Sequence, residues 1–269
     1  LGLPCAIWTR RARVPLQGRP VRDCTRVRPG RSGKLAMEVR ILPPHRFEPE
    51  LEVTVVIDVF RFTTTAAVLT ARSDGDLYVV PTLEQLDRVP VESSERWIFS
   101  ELEACRHWPE RRDNSPVEAA RMDLRGRTPV LVTTNGTRTV GAALERSAKI
   151  LLGSFVNFGA VVEHVRSLKP RRVTLAPAGR FDRAEPRFED DRCAEAYFQV
   201  LRGGTPDFAR IRSACLADPR TLRRIEGEGD FEADAKFALE VNRVAVVPEA
   251  TAVHTPSGAG GVARVWKAA

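Results

Sequence analysis

Short runs of β-branched and apolar residues recur along this chain, separated by longer stretches with helical spacing, and this alternation constrains the fold more than any other feature. The runs at 54–60 (TVVIDVF), 77–80 (LYVV), 97–100 (WIFS), 129–134 (PVLVTT), 150–153, 173–176 and 244–247 (VAVV) read as strands. Those without polar alternation suit strands buried on both faces. Between them, 64–71, 82–89, 138–146, 155–168 and 188–201 read as helices. Strands alternating with helices imply an α/β fold, a largely parallel sheet with helices on both faces. Residues 203–243 read as mostly helical, broken at Gly203-Gly204, Pro219 and Gly227 to Gly229. They form a helical insertion or a second, smaller α/β subdomain toward the C-terminus.

The net charge of +7 would suggest a nucleic-acid partner if it were spread over the fold, but it is not. Residues 1–36 hold nine of the 42 Lys and Arg and only Asp23 among the acids, which leaves 33 basic against 34 acidic residues beyond them. A neutral body gives no electrostatic footprint for nucleic acid or an anionic membrane. Residues 1–36 read as a disordered or upstream tail before Met37, with a transit peptide or a basic RNA-binding arm as alternatives. Residues 37–255 form the folded α/β domain and 256–269 a loose C-terminal tail. No apolar run approaches the ~18 residues of a membrane span. Cys5, Cys24, Cys105, Cys193 and Cys215 form no CxxC pair. The expectation is a reducing, cytoplasmic setting without zinc or a disulfide framework.

The chemistry concentrates where strands turn into helices. Residues 58–65 (DVFRFTTT) place Asp58 near the carboxyl end of a strand, where open α/β sheets bind ligands. Arg61 and the hydroxyls of Thr63, Thr64 and Thr65 would add donors to the N–H groups of a helix start. The alternative is that Asp58 caps the turn and the threonines cap the helix. Two further turns, 133–137 (TTNGT) and 153–157 (GSFVN), have the same composition, so all three are expected to converge on one anion along one sheet edge. Ser115, Pro116 and Glu118 have the spacing of a helix cap, which explains Ser115 without any function. Glu189, Asp190 and Asp191 open the helix after the long loop 177–187. They serve the helix dipole or, with Asp58, bind a hard cation such as Mg²⁺. Phosphate donors beside such a cation are what phosphoryl transfer needs.

Other signatures fail. Cys105 and Arg111 have the separation of a cysteine phosphatase loop but lack its glycines, and Phe60 stands where a haloacid-dehalogenase motif needs a second Asp. His45, His107, His164 and His254 are scattered without metal-ligand spacing, and no glycine-rich nucleotide loop is present.

In order, DVFRFTTT, DNSPVEAA (113–120), TTNGTRT (133–139), GSFVN and PAGRF followed by FEDDRCAE (177–181, 188–195) resemble the 2-phosphosulfolactate phosphatase family, over residues 37–250. The resemblance implies a Mg²⁺-dependent phosphatase acting on a small-molecule phosphate ester, (R)-2-phospho-3-sulfolactate, a step toward coenzyme M in archaea. It points to Asp58, Arg61, Glu189 and Asp190, which we read as catalytic residues, with Asp58, Glu189 and Asp190 also as metal ligands. For phosphate it points to Thr63, Thr64, Thr65, Asn114, Ser115, Thr134, Asn135, Gly136, Thr137, Ser154 and Asn157. Whether Asp58 is nucleophile or ligand, and whether the chain forms a homodimer, stay open. The chain departs from the family at Leu102, where an Arg is common, at Asp113 for Gly, and at Glu195 for a small residue. Those departures bear on substrate, and leave as alternatives a binding protein without catalysis and a phosphatase of another phosphoester.

Overall fold

The computed structural model describes residues 37–179, 181, 186–253 and 261–268, so the expectations for 1–36 and for His254 lie outside the described residues. The strands are β1 (Glu38–Ile41), β2 (Leu51–Ile57), β3 (Leu77–Val79), β4 (Arg96–Phe99), β5 (Arg111–Arg112), β6 (Thr128–Leu131), β7 (Ser147–Gly153), β8 (Arg172–Pro177), β9 (Pro248–Ala252) and β10 (Ala263–Lys267). The helices are α1 (Phe62–Arg72), α2 (Pro116–Ala119), α3 (Gly136–Leu144), α4 (Phe158–Leu168), α5 (Phe188–Leu201), α6 (Phe208–Leu216), α7 (Pro219–Gly227) and α8 (Phe231–Ala238). The fold is α/β, as the alternation implied, and the expected 82–89 helix is a 3-10 helix over Leu83–Arg88. None of the described helices is long and apolar enough to cross a membrane.

All the strands form one sheet in the order β1-β8-β2-β7-β9-β10-β3-β6-β4-β5. Pairings within β1-β8-β2-β7 and within β3-β6-β4-β5 are parallel. The two blocks are joined through antiparallel contacts of β9 and β10, so they run in opposite directions. Side chains on β2 alternate as a pleat requires. Val53, Val55 and Ile57 join one apolar core with α4 and α5, while Val56 faces the other core with α1 and α3. Helices therefore cover both faces.

Two expectations change here. Residues 244–247 are not a strand: Val244 N–H donates to Val156 O and Val246 O accepts from Asn157 Nδ2, and the ladder starts only at Pro248. The stretch read as a loose tail contains β10, which pairs with both β9 and β3 and links the blocks.

This topology also alters how the three turns meet. Opposed blocks put the end of β6 away from the ends of β2 and β7 in a flat sheet, so one straight edge cannot gather them. The five neighbour steps from β2 to β6, at about 20–25° of twist each, rotate one block by roughly 100–125° against the other. The sheet also curls around α1, which packs on strands of both blocks. The carboxyl ends of β2, β7 and β8 thus come to face those of β4, β5 and β6.

Candidate functional site

Asp58 leaves β2 at this junction with 7% of its surface exposed. Its main chain is fixed by Thr63, whose Oγ1 donates to Asp58 O at 2.7 Å and accepts from Asp58 N at 3.1 Å. Phe62 N–H donates to Asp58 Oδ1 at 3.4 Å. Across the junction lies Gly136, the first residue of α3: a Cβ there would stand 2.6 Å from Asp58 Oδ2 and 2.2 Å from Phe62 Cδ1. Only glycine lets the second block approach the acid so closely. Gly136→Ala must therefore displace a fully buried ring and the Asp58 carboxylate. We expect a loss of about 1–3 kcal/mol from overpacking, read from the urea midpoint; an unchanged midpoint would refute the contact.

Glu189 and Asp190 enter from α5, with 4% and 1% of their surface exposed. Asp190 is held by amides on both sides, Val59 N–H to Oδ1 at 2.8 Å and Gly179 N–H to Oδ2 at 3.2 Å, so it clamps the β2 and β8 turns together. Burial first, then Asp58 and Glu189, hold its carboxyl well above the usual range. Glu189 is also raised, chiefly by burial, and meets Arg220 Nη1 at 3.7 Å. Burial, then the charges of Glu101 and Glu189, push Asp58 up to about 7. Glu101, beyond the end of β4, accepts from Thr134 N at 2.9 Å and from Asn114 Nδ2 at 3.4 Å. It was not among the expected site residues, although an acid just past an apolar strand is the same signal that singled out Asp58.

Arg61 does not point its charge into this corner unpaired. Its Nη1 donates to Asp234 Oδ2 at 2.6 Å and to Asp113 Oδ2 at 2.7 Å. Burial pulls the guanidinium pKa down, and the two carboxylates outweigh it and hold it raised. Ser115 caps α2 by accepting from Glu118 N at 3.1 Å, and its Oγ donates to the same Asp234 at 2.6 Å.

The hydroxyl-rich turns are largely spent on themselves. Thr64 Oγ1 donates to Val59 O at 2.9 Å and pairs with Ser154 Oγ at 2.7 Å, while Thr65 Oγ1 donates to Asn114 O at 3.2 Å. Thr137 and Thr133 exchange side-chain and main-chain bonds. Asn157 accepts from Ser154 N and donates to Leu152 O and Val246 O. Thr63, Thr64, Thr65, Thr137, Ser154 and Asn157 have no exposed surface, and these side chains brace the turns, although the residues at the N-caps of α1, α3 and α4 make no side-chain cap. Thr134 and Asn135 are more open; Thr134 Oγ1 donates to Glu101 and Asn135 Oδ1 accepts from Phe181 N at 3.1 Å.

What remains chemically available is oxygen. Glu101 and Glu189 each lie within electrostatic reach of Asp58, and among the described residues the buried Oδ1 of Asn114 has no hydrogen-bond partner. Among the described residues no three His, Cys, Asp or Glu side chains form a ready-made metal cage. A hard cation that keeps several waters needs only one or two carboxylates, and this all-oxygen set fits one.

The sequence matches the family model described as 2-phosphosulpholactate phosphatase over residues 41–252. It is 30% identical over 215 residues to a probable 2-phosphosulfolactate phosphatase of Thermoplasma acidophilum, covering 78% of this chain and 91% of that protein. A protein of the same description from Thermus thermophilus is 33% identical over 229 residues, covering 80% and 94%. One from Thermotoga petrophila is 36% identical over 214 residues, covering 74% and 89%.

Proposed function

Because the chain belongs to the 2-phosphosulpholactate phosphatase family, and so is a phosphoric monoester hydrolase, we propose that it is a Mg²⁺-dependent phosphatase of a small anionic 2-hydroxy acid phosphate. The substrate that best fits the relatives' names is (R)-2-phospho-3-sulfolactate, hydrolysed to 3-sulfolactate and phosphate. The observation that carries this reading is the set of oxygens at one corner, buried at Asp58, Glu189 and the orphan Asn114 Oδ1 and exposed at Glu101, while the buried guanidinium of Arg61 is already paired with Asp113 and Asp234.

In this reading Asp58 with Glu101 or Glu189 holds the cation, or Asp58 attacks phosphorus directly. A bound divalent cation would offset charge on the phosphoryl oxygens and make an attacking water more acidic. The start of α3, brought beside Asp58 by Gly136, receives the phosphate oxygens on first-turn N–H groups other than that of Thr137, which Thr133 Oγ1 already accepts. Asp190 keeps the β2 and β8 turns at fixed separation, and Arg61 acts through Asp113 and Asp234 as a positioning residue. Buried free thiols at Cys105, Cys193 and Cys215 support a reducing, cytoplasmic setting. Phosphate release that EDTA abolishes and Mg²⁺ restores tests the reading, and metal-independent release would refute it. The pairing of Asp113 with Arg61 favours a second reading, a phosphoester other than phosphosulfolactate, which a panel of phosphorylated hydroxy acids distinguishes.

The raised Asp58 pKa gives a signed pH effect. An unfolded Asp titrates near ~4, whereas Asp58 folded titrates at about 7, so the native state binds the extra proton between them. Its contribution to metal-free stability is therefore fully present below the unfolded value and lost as pH rises through the folded one. Cation binding needs the deprotonated form. The increase in melting temperature on adding Mg²⁺ should be larger above the folded pKa than well below it, and an increase independent of pH would contradict the assignment.

A further inference from the structure

The helical segment between α5 and β9 supplies cations to the acid corner that the turn motifs do not. Asp218 caps α7 by accepting from Arg220 N at 3.0 Å and Thr221 N at 3.2 Å, which fixes where the helix starts. Arg220 and Arg224, four residues apart, then share a face. The two differ in freedom. Arg224 is pinned: Nε and Nη2 donate to both oxygens of Glu228 at 2.8 and 2.9 Å, and its guanidinium lies 3.7 Å over the Phe231 ring. Its charge is felt at Asp58. Arg220 is 36% exposed and meets Glu189 only at 3.7 Å, too long for a hydrogen bond. A guanidinium whose donors are mostly unspent among the described residues, beside a corner built for a phosphate ester, matches a carboxylate or sulfonate on the same substrate.

We infer that Arg220 is a specificity residue, binding the non-reacting anionic group of the substrate while the phosphoryl group sits beside Asp58 and the start of α3. This deepens the phosphatase reading and rests on it. Arg220 confers preference for acids that bear a second anion two or three bonds from the phosphoester, and the pinned Arg224 adds background charge without contact.

The test compares 2-phospholactate with phenyl phosphate, which lacks the second anion, in wild type, Arg220→Gln and Arg220→Lys, with calorimetry of 3-sulfolactate and of Mg²⁺ alongside. Arg220→Gln should lower the selectivity ratio, kcat/KM for 2-phospholactate over that for phenyl phosphate, by about 10- to 100-fold, the range of one charge-assisted hydrogen bond. The loss should fall on KM, and Arg220→Lys should recover part of it. Equal losses on both substrates, as expected if Arg220 only neutralises Glu189, would overturn the inference. So would unchanged 3-sulfolactate binding in Arg220→Gln. A wild type that binds 3-sulfolactate but releases no phosphate refutes the phosphatase reading instead, and binding lost in Arg220→Gln would then still support the Arg220 contact. A wild type that neither binds nor hydrolyses overturns both.

Discussion

Asp58→Asn is expected to abolish Mg²⁺-dependent phosphate release, a fall on the order of 10³-fold or more in kcat, while leaving the fold intact and raising its thermal stability. Removing a single preorganised donor from a transition state already costs about 10²–10³, and Asp58 is read as a charged ligand or nucleophile. The amide keeps the shape and the acceptor for Phe62 N–H. It removes a carboxylate whose pKa burial, Glu101 and Glu189 all push up, so the folded state loses a source of repulsion at neutral pH. Function and stability should therefore move in opposite directions, as they do where a site is built at the expense of the fold. Phosphate release and thermal melting of the same preparation decide it. Wild-type turnover in Asp58→Asn would remove the residue from the site, and a marked drop in melting temperature would show that its charge serves the structure.

How much of this was legible in the sequence depends on the range of the interaction. The 54–60 run, the 188–201 helix and the Ser115 cap are written in local spacing, and all three are found close to where spacing places them. The strand β10 was missed because ARVWK is short and follows glycine-rich residues, so its alternation, with Ala263 and Val265 buried, has little context. The reversal of the second block depends on that strand and could not be read without it. Composition singled out Thr63, Thr64, Thr65 and Thr137, but hydroxyls that brace a turn by donating to backbone carbonyls and hydroxyls that bind a ligand look alike until their partners are seen. Arg61 illustrates the limit most clearly: its partners stand 52 and 173 residues away, so nothing local announced that its charge was already paired. Glu101 was within reach of sequence reasoning, since it follows an apolar strand as Asp58 does.

Asp234→Ala is the substitution expected to cost most stability, about 3 kcal/mol. Asp234 is 1% exposed and sits in α8, yet its two oxygens tie together elements distant in sequence. Oδ2 accepts from Arg61 at the start of α1, and Oδ1 accepts from Ser115 Oγ and Val117 N at the start of α2. Removing one partner of a buried ion pair costs about 3–5 kcal/mol because the other charge stays buried. Asp113 still pairs with Arg61, and 30% of its side chain meets solvent, so the lower end of that range applies. At this chain size the loss corresponds to roughly 6–12 °C in Tm. Asp234→Asn keeps an acceptor for Ser115 and should lose less. Asp113→Ala, nearer the surface, should lose less again. Exchanging the pair together, Arg61→Met with Asp234→Leu, should recover most of the stability, since a buried ion pair gains little over a well-packed apolar one. Phosphatase activity should not return with it, because the ties that set α8 and the preceding α7 against Asp58 are gone. A stable, fully active double variant would show that Arg61 and Asp234 only fill space.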